Sequence, residues 1–98
     1  MSVGVVIPVF NGERFLVAAV ESVLAQTFTY WEAVIVDDGS TDATWRAIET
    51  LCERDSRIHG GRQANRGVSA ARNRGAEALS PAHLYVAFLD CDDLWEPH

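Results

Sequence analysis

The sequence predicts an α/β protein with a Rossmann-like, three-layer α/β/α architecture and a mainly parallel sheet. Three observations lead there. Apolar runs at 3–9, 31–36 and 84–89 lack polar alternation, the pattern of strands covered on both faces. Segments with apolar residues at helical spacing lie between them, at 12–26, 42–54 and 68–79. The two kinds alternate along the chain, which calls for parallel pairing, right-handed crossovers and helices on the sheet's faces.

In chain order, Val3-Gly4-Val5-Val6-Ile7-Pro8-Val9 is the first strand, with Pro8 expected to end it because proline cannot donate to a central ladder. Asn11 is expected to cap the first helix, whose apolar side is Phe15, Leu16, Ala19, Val20, Val23 and Leu24. The second strand, Trp31 to Val36, runs into Asp37-Asp38-Gly39-Ser40-Thr41, a turn rich in acceptors and capping residues. Trp45, Ile48, Leu51 and Cys52 share one side of the second helix. A weak strand is expected near 57–62, and Asn65-Arg66-Gly67 forms a loop before the Ala-rich third helix. Ser80-Pro81 breaks that helix, and Leu84 to Leu89 is the last apolar strand, ending at Asp90. Asn11, Asp37, Asp38, Asp90 and Asp92 thus follow apolar strands, and open parallel sheets bind ligands beyond the carboxyl ends of their strands.

Composition narrows the function. Ninety-eight residues read as one domain with a modest core. A net charge of −6 argues against nucleic acid as a partner, since that needs a cationic stripe. All eight cations are Arg, which removes P-loop, Schiff-base and other Lys-dependent chemistry. Cys52 and Cys91 lack zinc-ligand spacing and read as free thiols of a reducing compartment. No signal peptide is visible and no apolar run reaches the roughly 18 residues of a membrane span. The expected location is cytoplasmic or, for the parent protein, the inner face of the membrane.

Three constellations could carry chemistry. Asp90-Cys91-Asp92-Asp93 gathers carboxylates that repel one another unless a cation sits among them, and hard oxygen ligands favour Mg²⁺ or Mn²⁺. Acidic residues at that place could equally cap a following helix. In the Asp37-to-Thr41 turn a carboxylate could accept hydrogen bonds from a base or ribose, and Gly39 permits positive φ; a plain turn with an N-cap is the competing account. Arg66, Arg72 and Arg74 place three of the eight cations within nine residues, at the start of a helix, an arrangement suited to a diphosphate. Arg74 is expected to be a surface residue, paired with Glu77 or Asp38. The three histidines show no ligand spacing, and Trp31, Trp45 and Trp95 read as core or boundary aromatics.

Taken together, five stretches resemble the family 2 glycosyltransferases of the GT-A fold: Val5 to Gly12, Ser22 to Thr27, Val36 to Asp42, Asn65 to Gly75, and Phe88 to Asp93. They stand in the family's order and cover nearly the whole chain. The resemblance implies the first half of a GT-A fold that binds a nucleotide-diphosphate sugar, with a UDP-sugar as the expected donor. It places Pro8, Val9 and Phe10 along the nucleotide pocket and Glu13 at its rim. It gives Asp38 the base, with Asp37 a weaker candidate, and sets Arg66, Gly67 and Arg72 near the nucleotide. Asp90 would contact ribose or donor sugar and join Asp92, the principal ligand, in holding the divalent metal, Mn²⁺ or Mg²⁺. Cys91 is an unusual middle residue for that motif.

Inverting members of the family use a carboxylate further along the chain as general base, so the expectation is a truncated N-terminal portion that binds nucleotide without transferring sugar. The acceptor, whether polysaccharide, lipid or protein glycan, is unspecified. The non-enzyme alternative is a nucleotide-binding or assembly module of the same fold. A haloacid-dehalogenase phosphatase needs Thr where Leu94 stands and a Lys that this chain lacks. A sheet cut after residue 89 would expose an edge and apolar surface, so self-association at high concentration is expected.

Overall fold

The computed structural model describes residues 2–25, 30–79 and 85–88. The elements run β1 (Ser2–Val9), α1 (Glu13–Leu24), β2 (Tyr30–Asp38), α2 (Thr44–Arg54), β3 (Ile58–Gln63), α3 (Val68–Ala78) and β4 (Tyr85–Phe88). The four strands form one sheet in the order β3-β2-β1-β4. Every neighbouring pair is parallel. The expected alternation and fold class are therefore present.

Alternation along the strands divides the core between two faces. Val3, Val5, Ile7 and Val9 of β1, with Trp31, Ala33 and Ile35 of β2, pack with Leu16 and Val20 of α1 and Ile48 and Leu51 of α2. Val6, Val34 and Val36 point the other way and meet Ala71 of α3 and Leu79. That is the three-layer arrangement, and it explains the unbroken apolar runs: both faces of β1 and β2 are covered. Helix α3 reaches the sheet through Gly75, where a Cβ would collide with the Val6 side chain. An Ala-rich helix with a buried glycine is what lets backbone and sheet come so close.

Some expectations shift. Pro8 does not end the strand; it lies inside β1 opposite Val36. Phe15, assigned to the apolar side of α1, is 42% exposed, because α1 packs through Leu16 and Val20 instead. Strand β3 is weak in sequence for a physical reason. Of its six residues only Ile58 is buried, and its place in the sheet comes from pairing with β2. Among the described residues it has no outer neighbour, and Arg57 stacks over the buried Trp31 ring at 3.8 Å where the chain enters it.

Candidate functional site

The carboxyl end of the sheet is level across three strands. Val9 lies opposite Asp37, Asp37 opposite Arg62, and Asp38 opposite Gln63. The loops that leave these strands are tied to one another by side chains.

The first tie joins the loop after β1 to the loop after β2. Asn11 takes a left-handed conformation, with φ 51°. Its N–H donates to Ser40 Oγ at 2.8 Å, and its Oδ1 accepts the Thr41 N–H at 2.7 Å. Next to it the Gly12 N–H donates to Thr44 Oγ1 at 3.1 Å, and Glu13 Oε1 accepts the Ala43 N–H at 3.3 Å. Asn11 therefore does not cap α1 as expected: Gly12 supplies the carbonyl that starts the helix, and the Asn11 side chain reaches across to the other loop. Asp42 accepts the Thr44 N–H at 2.9 Å and so serves the first turn of α2.

The second tie joins β2 to the loop after β3. Asp38 is 0% exposed. Its Oδ1 accepts from Gln63 Nε2 at 2.8 Å and the Arg66 N–H at 2.7 Å, and its Oδ2 accepts the Gly67 N–H at 2.9 Å. Its carbonyl accepts from Asn65 Nδ2 at 3.1 Å. A carboxylate offers about four lone-pair sites, so three are spent inside the chain. Asp38 thus holds the Arg66–Gly67 loop, a task that spacing did not suggest. Gly39, at φ 75°, is required here, because a Cβ would stand 2.6 Å from the Asn65 backbone nitrogen.

Asp37 is also 0% exposed, but lies on the opposite face of β2. Its Oδ1 accepts the Ser40 N–H at 2.9 Å. Its Oδ2 is buried without a hydrogen-bond donor, and the nearest cation is Arg62, with Nε at 3.7 Å. The Arg62 guanidinium also lies 5.4 Å from the Trp45 ring centroid.

The remaining predicted residues fall into place around these ties. Pro8 and Val9 are buried at the end of β1, and Phe10 is half-buried just past it. Glu13 is exposed. Arg66 is exposed, Gly67 is the residue preceding α3 with φ 99°, and Arg72 is half-buried on α3. Arg74 pairs with neither Glu77 nor Asp38 in the described contacts; its Nη1 donates to the Arg62 carbonyl. Asp90 and Asp92, expected to hold the metal, lie outside the described residues, as do Cys91, Asp93, Trp95, His83 and His98. Among the described residues no group of three His, Cys, Asp or Glu is placed to hold a metal ion. No helix among them is long and apolar enough to cross a membrane.

Among the described residues one cleft opens at this edge and another lies away from it. One, of about 370 Å³, runs between Gln63, Arg66, Ala70, Asn73, Arg74 and Glu77 and opens beside the Asp38-held loop. The other, of about 480 Å³, lies between α2 and the first half of β3, around Trp45, Ile48 and Cys52. It contains no predicted site residue. Burial pushes the Cys52 thiol up, and the nearby Glu49 and Glu53 push it further, which suits an inert thiol.

Sequence reasoning missed Gln63 and Asn65 as partners of Asp38, and gave Asn11 the wrong partner. The missed signal was the left-handed preference of Asn, which follows a strand here just as an N-cap would.

Comparison with known proteins identifies the sequence pattern. Residues 4–98 match the family described as Glycosyl transferase family 2. A glycosyltransferase of Rickettsia felis is 43% identical over 93 residues, covering 95% of this chain and 15% of that protein. The teichuronic acid biosynthesis glycosyltransferase TuaG of Bacillus subtilis, a putative assignment by its own description, is 40% identical over 95 residues, covering 96% of this chain and 37% of that one. The chain thus spans well under half the length of these relatives. Among solved structures, TarS 1-349 of Staphylococcus aureus in complex with UDP-GlcNAc superposes with a TM-score of 0.81 at 28% identity, covering 93% of this chain and 26% of that one. A mannosyltransferase of Pyrobaculum calidifontis in complex with GDP-Man and Mn²⁺ shares the fold, at a TM-score of 0.74 and 23% identity over 80% of this chain and 24% of that one. The parallel β3-β2-β1-β4 sheet is that of GT-A glycosyltransferases, and the chain belongs to glycosyl transferase family 2.

Proposed function

We propose that this chain supplies the nucleotide-holding part of a glycosyltransferase that moves a sugar from a nucleoside diphosphate donor to an acceptor hydroxyl, with inversion. The observation that carries the reading is the joining of three loops at one carboxyl edge, in a chain of this family. A ligand at that edge would lie beside the β1 end at Phe10, the loop after β2 and the Arg66–Gly67 loop together.

The chemistry of each part fits a nucleoside diphosphate. Asp38 orients the loop that carries Arg66 and Gly67, so its part in holding a nucleotide acts through that loop. Gly67 brings no side-chain cap to α3, so the positive end of the helix and Arg66 beside it suit the charge of a diphosphate. TarS, a relative of this fold, binds UDP-GlcNAc and UDP. UDP is accordingly the expected nucleotide.

Metal dependence is part of the proposal. Asp90 and Asp92 stand two and four residues past β4, which runs parallel to β1. Their hard oxygen donors, with Asp93 adjacent, match the preference of Mn²⁺ or Mg²⁺. A divalent cation held there would neutralise charge on the departing diphosphate. The family's general base is expected on a carboxylate outside this sequence. The chain alone should therefore bind nucleotide without transferring sugar.

Titration calorimetry of the chain with UDP and GDP, with and without Mn²⁺, tests this. The expected result is UDP binding that Mn²⁺ strengthens by about tenfold, equivalent to about 1.4 kcal/mol. Asp92→Ala should abolish that gain. Failure of both nucleotides to bind at millimolar concentration would sink the reading. Binding indifferent to Mn²⁺ and to Asp92 would remove the metal from it.

A further inference from the structure

We infer that Asn11 is a positioning residue of the nucleotide site, the outer link of a hydrogen-bond series that sets all three loops relative to one another. The inference deepens the proposed function and rests on it.

Two sets of hydrogen bonds meet at the end of β2, joined there by the Asp37–Asp38 peptide link. Asn11 holds Ser40 and Thr41 through its own N–H and Oδ1. Thr41 Oγ1 donates to the same Oδ1 at 3.3 Å. Ser40 in turn gives its N–H to Asp37, and the adjoining Asp38 holds Gln63, Arg66 and Gly67. Between the two ties a Cβ on Gly39 would stand 2.6 Å from the Asn65 backbone nitrogen, so the loop after β2 runs close beside the loop after β3. Displacing the β1 loop therefore displaces the Asp37–Asp38 turn, and through it the amides of Arg66 and Gly67.

Asn11 carries a conformational cost for this. It is the one described non-glycine residue at positive φ. Such a backbone persists where its surroundings hold it, and the reasonable inference runs from the observed outlier to a function. Asparagine is among the side chains that tolerate the left-handed region. It also offers a short carbonyl acceptor. Glycine would supply the conformation without the acceptor, alanine neither. Aspartate would supply both.

This distinguishes a positioning role from simple stabilisation. The test measures UDP affinity in the presence of Mn²⁺ for the wild-type chain, Asn11→Ala, Asn11→Gly, Asn11→Asp and Ser40→Ala. Circular dichroism at low temperature verifies that each is folded. We expect Asn11→Ala and Asn11→Gly to weaken UDP binding by about tenfold or more, since losing an oriented contact shifts affinity on that scale. Asn11→Asp should recover binding to within about threefold of wild type. Ser40→Ala, at the other end of the tie, should follow Asn11→Gly. Amide exchange supplies a readout free of ligand: Asn11→Gly should speed exchange at Thr41, Arg66 and Gly67 while leaving the β1 and β2 core amides unchanged.

Wild type that binds UDP, with Asn11→Gly binding it equally, would overturn the inference alone. So would faster exchange confined to Thr41, because the series to Arg66 would then be broken. Wild type that binds no nucleotide overturns the proposed function, and this inference with it.

Discussion

Asp37 and Asp38 are neighbours in sequence and equally inaccessible, yet the fold treats them differently. Asp38 faces α3 and meets three donors, all from β3 and the loop behind it. Asp37 faces α1 and α2 and meets one backbone donor, with a guanidinium at 3.7 Å beyond hydrogen-bond reach. A buried carboxylate needs partners in proportion to its charge. Asp38 is a hub with three donors, Asp37 an acceptor with one. The difference teaches that burial of an acid says little until its donors are counted, and that the second acid of the turn bears the structural load.

The sharpest way to break this comparison is Asp38→Ala. It leaves Arg66 N–H, Gly67 N–H and Gln63 Nε2 without their acceptor in a part-buried place. The expected loss is roughly 3–5 kcal/mol, the scale of removing one side of a buried, charge-assisted set. A domain of this size has about 5–15 kcal/mol in total, so the variant should melt far below wild type. Equilibrium unfolding in urea measures it. A loss under about 1 kcal/mol would mean that water replaces the carboxylate, and the hub would then be an incidental feature.

A matched pair of isosteric changes comes next. In Asp38→Asn one oxygen becomes an amide, and an NH₂ must face either the Gly67 N–H or the Gln63 and Arg66 donors. That opposition should cost about 2–3 kcal/mol. In Asp37→Asn the Oδ1 bond to Ser40 is kept, and the new NH₂ occupies the side where Oδ2 had no donor. A neutral group there also avoids burying a poorly paired charge. The expected change is within about 1 kcal/mol of zero. Equal losses in the two variants would erase the distinction drawn between the acids.

How much of this was legible beforehand follows from the reach of each interaction. The apolar runs of β1 and β2 show because both faces of those strands are covered, a property of each residue taken in order. The Asp37–Asp38 turn, the Arg66–Gly67 loop and the Asp90–Asp92 motif show as local patterns or through family resemblance. The hub does not show, since Asp38 finds its donors 25 to 29 residues away. Nothing near Asp38 in sequence separates an acid that meets a ligand from one that meets its own chain. Asn11 fails for a related reason: the residue types that cap helices and those that tolerate positive φ overlap, and only the partner, 30 residues on, tells them apart. Phe15 was misplaced because helical spacing gives a stripe but not its centre. The weak β3 reads poorly because pairing with β2, rather than its own side chains, places it.

The smallest effect is expected at a third acid, one that is well paired but not deeply buried. Asp55 accepts from Arg57 three times: from its backbone N–H at 2.9 Å, from Nε at 3.0 Å and from Nη2 at 2.8 Å. The Arg57 side-chain hydrogen bonds hold the Asp55 carboxyl below its ordinary value of 3.8, with the backbone bond adding to that. A depressed folded pKa contributes stability that is present above the unfolded value and is lost as pH falls through the folded one. The window therefore lies below about pH 4. Arg57→Ala should raise the Asp55 titration toward its ordinary value without reaching it, since the backbone donor at residue 57 remains. Carboxyl-carbon NMR between pH 2 and 6, roughly the span over which carboxylates titrate, follows this directly. The same change should leave stability at neutral pH almost unmoved, because solvent screens a pair whose Arg57 side chain is 47% exposed. An Asp55 that titrates identically in both proteins would show that geometry alone, without burial, fails to set a carboxylate's strength here. Asp38 would then owe its role to enclosure as much as to the number of its donors.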